Sequence, residues 1–303
     1  MDHHSDQQLY INCLINHPLG FGPALTVTQY MPDKHFFRGS YGGNGVFPLY
    51  RNKICTESNA TSLLLGLLNK IYSRTVTPED FAGYIYGILA QSEYTRRFVN
   101  ELASKEVRVP LTKDKKIFAK VSEFGKELIW LHTYGERLHD ADHQAGHIPK
   151  GKAQCIKAVS DQESKYPNEF HYDETIKKLH VSDGEFAPVP LAVWEFEVSG
   201  LKVVQSWLGY RMRERSGKKS SPLDDIRPRV WTREFTRELL ELLWVLEITI
   251  AGYSKQQQLL EAVLAGDLFT EAQLPAVPDE AREAPKVKRS RNLDEQVCLE
   301  IEE

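Results

Sequence analysis

With 303 residues, 41% of them apolar, the chain has material for one large folded unit or two small ones around ordinary cores. Lysine and arginine (38) against aspartate and glutamate (42) leave a net charge of −4, which excludes a histone-like or ribosomal protein that grips phosphate over its whole surface. The deficit is local: from Thr270 to Glu303 nine acids face five bases, so the tail carries it and the body is neutral.

The first fifty residues are rich in Gly, Pro, Asn and Thr, with β-prone runs at Ala24–Tyr30 and Val46–Tyr50 that read as strands joined by turns. Helical periodicity begins near Thr61 with TSLLLGLLNKIY. Thr77-Pro78-Glu79-Asp80 then supplies an N-cap, a proline at the first helical position and two acids at the positive end of the dipole, predicting a helix from Pro78 to about Gln91. Ser92 caps a third helix through Leu102. After Val109-Pro110 a fourth carries Ile117, Phe118, Val121, Phe124, Leu128 and Leu131 at spacings of three and four. Periodicity fails over His139–Lys152, and Gln154–Val198 turns to short alternating runs with an Asp183-Gly184 turn, the pattern of a hairpin sheet. Leu201–Arg213 reads as a helix and Ser216–Pro222 as a linker. Thr232–Leu264 reads as one or two long helices with Leu239, Leu240, Leu243, Leu246 and Ile250 on one stripe. Beyond Thr270, prolines at 275, 278 and 285 predict a disordered acidic tail.

Chemistry-bearing motifs are few. Four cysteines (Cys13, Cys55, Cys155, Cys298) without C-x-x-C spacing predict free thiols in a reducing compartment, the cytoplasm. The polar start MDHHSDQQLY does not read as a secretion signal, and the most apolar stretch, Leu239–Tyr253, is broken by Glu241 and Glu247 and falls short of the ~20 residues that cross a bilayer. Phe37–Gly45 is glycine-rich, but the segment after it, Val46–Tyr50, is strand-like rather than the helix a phosphate or S-adenosylmethionine loop needs; a hairpin tip is the better reading. Such a tip, with Arg38, Tyr41 and Asn44 and followed by Arg51 and Lys53, suits DNA contact. His132, His139, His143 and His147 with Asp140, Asp142 and Cys155 invite a zinc reading. Gly135 and Gly146 interrupt the helix that this spacing requires, so a polar loop is favoured and no metal is expected. Serine-hydrolase, phosphate-loop and amino-methyltransferase motifs are absent. Leu201–Arg229 carries eight bases (Lys202, Arg211, Arg213, Arg215, Lys218, Lys219, Arg227, Arg229) against three acids. This run is either a phosphate-binding surface or a solvated helix end and linker. Lys177, Lys178 and His180, and the tail run Lys286–Arg291, are smaller patches open to the same two readings.

Taken in order, Pro32–Phe37, Gly45–Tyr50, Thr77–Leu89, Arg108-Val109-Pro110 with the Phe124–Leu128 helix, Pro190–Phe196, Gly200, Trp207-Leu208 and Ser221–Ile226 form a pattern. It resembles the C-terminal specificity region of type ISP restriction-modification enzymes and related adenine-specific DNA methyltransferases, over roughly residues 30 to 250. Members of that family join a nuclease, a helicase-like ATPase and an N6-adenine methyltransferase to a target recognition domain. The resemblance covers only that last part. It implies that S-adenosylmethionine, ATP and magnesium belong to other domains; the sequence departs from the family in lacking the Tyr-Arg-Pro-Phe-Asp stretch and the further part of the recognition domain that members usually carry ahead of the matching region.

The expected fold is α+β: a small mixed or antiparallel recognition sheet with a helical insertion and a C-terminal helical region. Residues 1–59 and 136–215 are the two parts of the sheet, 60–135 the insertion, 216–269 the helical region and 270–303 the tail. The expected function is sequence-specific, non-catalytic binding of duplex DNA for methyltransferase and helicase/nuclease modules in cis or in trans, with phage defence as its setting. Its candidate contacts are Arg38, Tyr41, Asn44, Arg51, Lys53, Lys177, Lys178, Arg211, Arg213, Arg215, Lys218 and Lys219. The alternative is a helical module that docks a methyltransferase or ATPase partner without reading DNA.

Overall fold

The structure is a computed structural model that describes residues 5, 7–14, 21–32, 36–37, 44–103, 107–139, 145–213 and 228–283. The chain opens with three short strands, β1 (Tyr10–Leu14), β2 (Leu25–Thr28) and β3 (Asn44–Pro48), in an antiparallel sheet of order β2-β1-β3. Leu14 pairs with Asn44 and Cys13 with Leu25, so the β1–β2 connection and the entry to β3 lie at the same end of this sheet.

The helical block follows from local signals. Thr61 caps α1 (Ser62–Tyr72) by accepting from the Leu64 amide. Thr77 and Asp80 form a reciprocal capping box on α2 (Pro78–Leu89). The helix expected over Ser92–Leu102 is broken at Phe98 into α3 (Ser92–Arg97) and α4 (Val99–Leu102), and Ser92 is not its cap: Gln91 holds that position without a side-chain bond. Asp114 caps α5 (Lys115–His132) by accepting from the Lys116 and Ile117 amides. α2 and α5 pack backbone to backbone, because Gly83 and Gly87 on α2 face Ser122 and Gly125 on α5. A Cβ built on Gly125 would stand 1.8 Å from the Gly83 carbonyl oxygen.

The second half holds β4 (Gln154–Lys157), β5 (Phe170–Asp173), β6 (Lys178–Val181) and β7 (Gly184–Ala187) in an antiparallel sheet of order β4-β7-β6-β5. Its two faces follow from register. Cys155, Phe186, Leu179 and Tyr172 form a row that packs on the core, and Lys157, Glu185, His180 and His171 form a polar row on the other face. The turn expected at Asp183-Gly184 is shifted by one residue. Val181 pairs with Gly184, leaving Ser182 and Asp183 as the two-residue loop with Ser182 at φ 51°. Gly184 is needed instead for closeness, since a Cβ there would lie 2.4 Å from Val159.

Next come α6 (Leu191–Trp194), a two-stranded ribbon of β8 (Glu197–Val198) and β9 (Leu201–Lys202), and α7 (Val203–Gly209). The first two residues of the helix expected from Leu201 therefore belong to the ribbon. α8 (Arg233–Ala251) and α9 (Tyr253–Ala265) divide the long C-terminal helical region at Gly252.

Strands before and after the helical block thus form separate sheets rather than two parts of one, and each sheet has its own core. The first joins β1, β2 and Leu49 just after β3 to α1, α2, α3, α5 and α9 through Leu25, Leu68, Tyr84, Tyr94, Phe118 and Leu260. The second joins β4–β7 to α6, α7 and α8 through Leu179, Phe186, Val204, Leu239 and Leu243. The expectation of disorder from Thr270 onward fails for residues 270–283, which hold a 3-10 turn at Glu271–Gln273 and α10 (Asp279–Arg282). Leu274 packs on the first core, and apolar anchoring outweighs the proline content that suggested disorder. Among the described residues no helix is long and apolar enough to cross a membrane.

Candidate nucleic-acid interface

Asn44 opens β3 at the end of the first sheet that also carries the β1–β2 connection. Arg51 lies a few residues beyond β3 and is already engaged. Its guanidinium donates to the carbonyl oxygens of Ala281 (2.7 Å), Glu283 (2.6 Å) and Glu280 (3.4 Å), and its Nε lies 3.3 Å from Glu57. With its side chain 13% exposed, Arg51 satisfies the carboxyl end of α10 and ties the C-terminal segment to the body instead of presenting itself to a base edge. Lys53 beside it is exposed.

On the second sheet Lys177 sits at φ 52° in the β5–β6 turn with its side chain exposed, and Lys178 is paired with Glu185 at 2.7 Å. His171 and His180, partners across β5 and β6, stack with ring centroids 4.3 Å apart and planes 4° from parallel. Partial burial pushes the His180 imidazole pKa down, and a charge on His171 would push it further.

Arg211 and Arg213 end the segment after α7. The Arg211 guanidinium lies 3.6 Å from the centre of the Trp207 ring and 5.0 Å from that of Phe235, donates to the Trp207 carbonyl and pairs with Glu238 at 2.9 Å. Trp231 completes the box, edge-on to both rings. Burial lowers the Arg211 pKa despite Glu238, so this cation is desolvated and structural. Arg213 donates through its side chain to the Glu163 carbonyl and through its amide to Pro167 (2.8 Å), pinning the end of α7 to the loop before β5. Among the described candidate cations, Lys53 and Lys177 remain exposed and without an ion pair to a described residue. Arg38, Tyr41, Arg215, Lys218 and Lys219, together with the runs 216–222 and 286–291, lie outside the described residues.

Where the two cores meet, a buried polar chain runs through His132 on α5. Thr249 Oγ1 donates to the Val245 carbonyl (2.7 Å) and so accepts from His132 Nε2–H (2.8 Å), which leaves His132 Nδ1 to accept from the Tyr86 hydroxyl (2.6 Å). Burial pushes the imidazole pKa down to about 4, fixing the neutral ring. This histidine therefore works as a joint and is unsuited to the metal reading. Among the described residues no three His, Cys, Asp or Glu side chains gather as a metal site. A cavity of about 490 Å³ lies between the first sheet and α2, and its walls, including Ile11, Cys13, Leu25, Phe81 and Ile85, are almost wholly apolar.

The profile of the Type ISP C-terminal specificity domain matches residues 1–242. The chain belongs to this family. Its fold is shared with solved structures. The ATP-dependent Type ISP restriction-modification enzyme LlaBIII bound to DNA matches at 18% identity with TM-score 0.52, over 86% of this chain and 16% of that one. The cryoEM structure of a DrdV–DNA complex matches at 14% identity with TM-score 0.55, over 90% of this chain and 25% of that one. The specificity domain thus spans a quarter or less of the length of the solved proteins it matches. None of the curated proteins matches the sequence.

Sequence reasoning missed the role of Arg211, although Trp207 and Arg211 stand four apart, as do Trp231 and Phe235. That i, i+4 spacing is the available signal that the cation is spoken for. It also missed Phe21, an exposed aromatic next to the turn glycine Gly22.

Proposed function

We propose that this specificity domain binds duplex DNA sequence-specifically, as the target recognition part of a restriction-modification system of the adenine-methyltransferase type acting in the cytoplasm. The observation that carries the reading is the family match over residues 1–242, supported by a fold shared with two DNA-bound proteins. The domain is a binder rather than a catalyst; S-adenosylmethionine, ATP and magnesium serve nuclease, helicase and methyltransferase modules supplied in cis or in trans. Lys53 and Lys177 set register on phosphates together with the Arg215, Lys218 and Lys219 run, while Arg38, Tyr41 and Asn44 reach base edges in the major groove. Selection from a random-sequence duplex pool by the purified chain, with sequencing of what is retained, tests this. An enriched motif is the expected outcome, with log K falling against log salt at roughly −0.9 per phosphate contacted; a folded chain that enriches nothing refutes self-sufficient recognition.

One observation favours a second role beside the first. α1 leaves two large apolar side chains exposed on its outward side, Leu63 at 54% and Ile71 at 44%. A soluble domain that spans so little of its structural relatives has a use for such a face in docking the remaining modules. Leu63→Glu with Ile71→Glu is expected to abolish that docking and to leave DNA binding by the isolated chain unchanged.

A further inference from the structure

Phe21 is the most exposed large apolar side chain of the described residues, at 81%, yet the turn that carries it is hydrogen-bonded to elements on either side. The segment 21–24 receives hydrogen bonds from three directions. The β8–β9 turn, with Ser199 and Gly200 both at positive φ, donates from the Gly200 amide to the Phe21 carbonyl (3.0 Å) and from the Ser199 amide to that of Pro23 (3.1 Å). Thr95 of α3 donates through its hydroxyl to the Gly22 carbonyl (2.6 Å). From the other side the Ala24 amide donates to the Leu89 carbonyl at the end of α2 (3.2 Å). Gly22 is obligatory in this clamp, since φ is +86° and a Cβ would stand 1.8 Å from the Glu197 carbonyl oxygen. Elements of both halves thus fix the turn that presents one phenyl ring to water.

A hydrophobic docking face needs neighbouring apolar area, and the residues that clamp this turn, Thr95, Glu197, Ser199 and Gly200, supply none. Phe21 belongs to the β1–β2 connection, at the end of the first sheet where Asn44 enters β3, and the exposed Lys202 lies across the ribbon from Glu197. We propose that Phe21 is an aromatic wedge that stacks on a base at a kinked or opened step of the bound duplex. This inference rests on the DNA-binding reading and adds a contact to it. A phenyl ring offers no base-edge hydrogen bond, so its contribution is stacking and choice of a deformable step rather than direct reading. The hydrogen bonds fix the backbone of the turn, so the position from which the ring projects is set before DNA arrives.

The test uses the whole purified chain and the duplexes enriched from the random pool, with 2-aminopurine placed at successive positions. Wild type is expected to brighten the probe at one step. Phe21→Ala is expected to bind about tenfold more weakly, with the salt slope and unfolding midpoint unchanged and the brightening lost; Phe21→Trp is expected to restore both. Equal affinity of Phe21→Ala and wild type overturns the inference while the DNA reading stands, and would assign the ring to a protein partner. A loss accompanied by a lower unfolding midpoint, or not recovered by Phe21→Trp, overturns it as well. If wild type enriches no duplex, the DNA reading fails and the wedge fails with it.

Discussion

In the first core, α2 and α5 close until backbone meets backbone across Gly83, Gly87 and Gly125. In the second core, α7 and the start of α8 are held apart by the rings of Trp207, Trp231 and Phe235 with the Arg211 guanidinium between them. Each core also consumes cations near its surface. Asp80 at the head of α2 takes Lys126 and Arg74, both at 2.7 Å, and Glu238 takes Arg211. Burial alone would raise the Asp80 pKa, but hydrogen bonds and charge from Lys126, the Thr77 amide and Arg74 outweigh it and hold the carboxyl below its usual range. The difference between the cores is one of tolerance: a glycine seam has no slack, whereas an aromatic box can lose one member and settle. What they share is that positive charge on this chain is largely structural wherever it lies beside a core, so counting bases along the sequence overstates the surface left for phosphate.

The largest effect expected from this contrast is Gly125→Ala. The new methyl meets the Gly83 carbonyl oxygen at 1.8 Å and the Gly87 nitrogen at 2.8 Å, both main-chain atoms that cannot rotate away. Overpacking of this kind costs about 3 kcal/mol, more than the gain of up to about 1 kcal/mol from alanine's helix propensity. Urea unfolding should show a clearly lower midpoint, and an unchanged one would mean that the helices can part without cost.

The joint between the cores gives a pH dependence. His132 is neutral when folded, with a pKa of about 4, while its unfolded value is near the ordinary 6.5. The unfolded chain therefore binds the proton first as pH falls, and stability present above pH ~6.5 is lost progressively toward pH ~4, by about 3 kcal/mol if the whole shift is expressed. Asp80 works in a separate window. Its depressed pKa adds stability above the usual carboxylate range that is lost only as pH falls below it. Thermal midpoints at pH 7 and pH 4.5 should differ more for wild type than for His132→Gln, and parallel curves would remove His132 from this role.

Arg211→Ala is expected to cost about 1–2 kcal/mol, through the lost ring contact and the Glu238 carboxylate left without its partner, with Arg211→Lys recovering the ion pair but not the flat stack. Its effect on DNA affinity should leave the salt slope unchanged. The opposite pattern, a slope reduced by about one phosphate at unaltered stability, would return Arg211 to the phosphate-binding role that its sequence neighbourhood suggested.

How much of this was legible depends on distance along the chain. The cap at Thr77, the helix at α5 and the stripe on α8 are written in residues a turn apart, and the sequence pattern finds them; Ser92, also read as a cap, is instead the first residue of α3. The β6–β7 loop was misplaced by one residue because Gly184 answers to Val159, a contact that no local rule contains. That the strands form two sheets rather than one is likewise decided by long-range pairing. At the candidate interface, the residue types were found and their availability was not. Arg51 is occupied by carbonyls more than two hundred positions away, and Phe21 gains its meaning from a turn formed by Ser199 and Gly200.

The smallest expected effect repeats the first substitution at the other extreme. Gly66 lies in α1, exposed, with nothing within 4 Å of a Cβ built on it, so Gly66→Ala adds a methyl to open water and removes only the conformational freedom of glycine. The isolated chain should gain up to about 1 kcal/mol, a rise of a few degrees in its thermal midpoint. Gly66 shares the outward face of α1 with Leu63 and Ile71. If that face seats another module, a glycine is retained there because the partner comes close to the helix backbone, and the methyl that steadies the free chain should weaken docking. A variant that is more stable alone and docks as well as wild type would show that Gly66, unlike Gly125, answers to no close contact and leave α1 free of one.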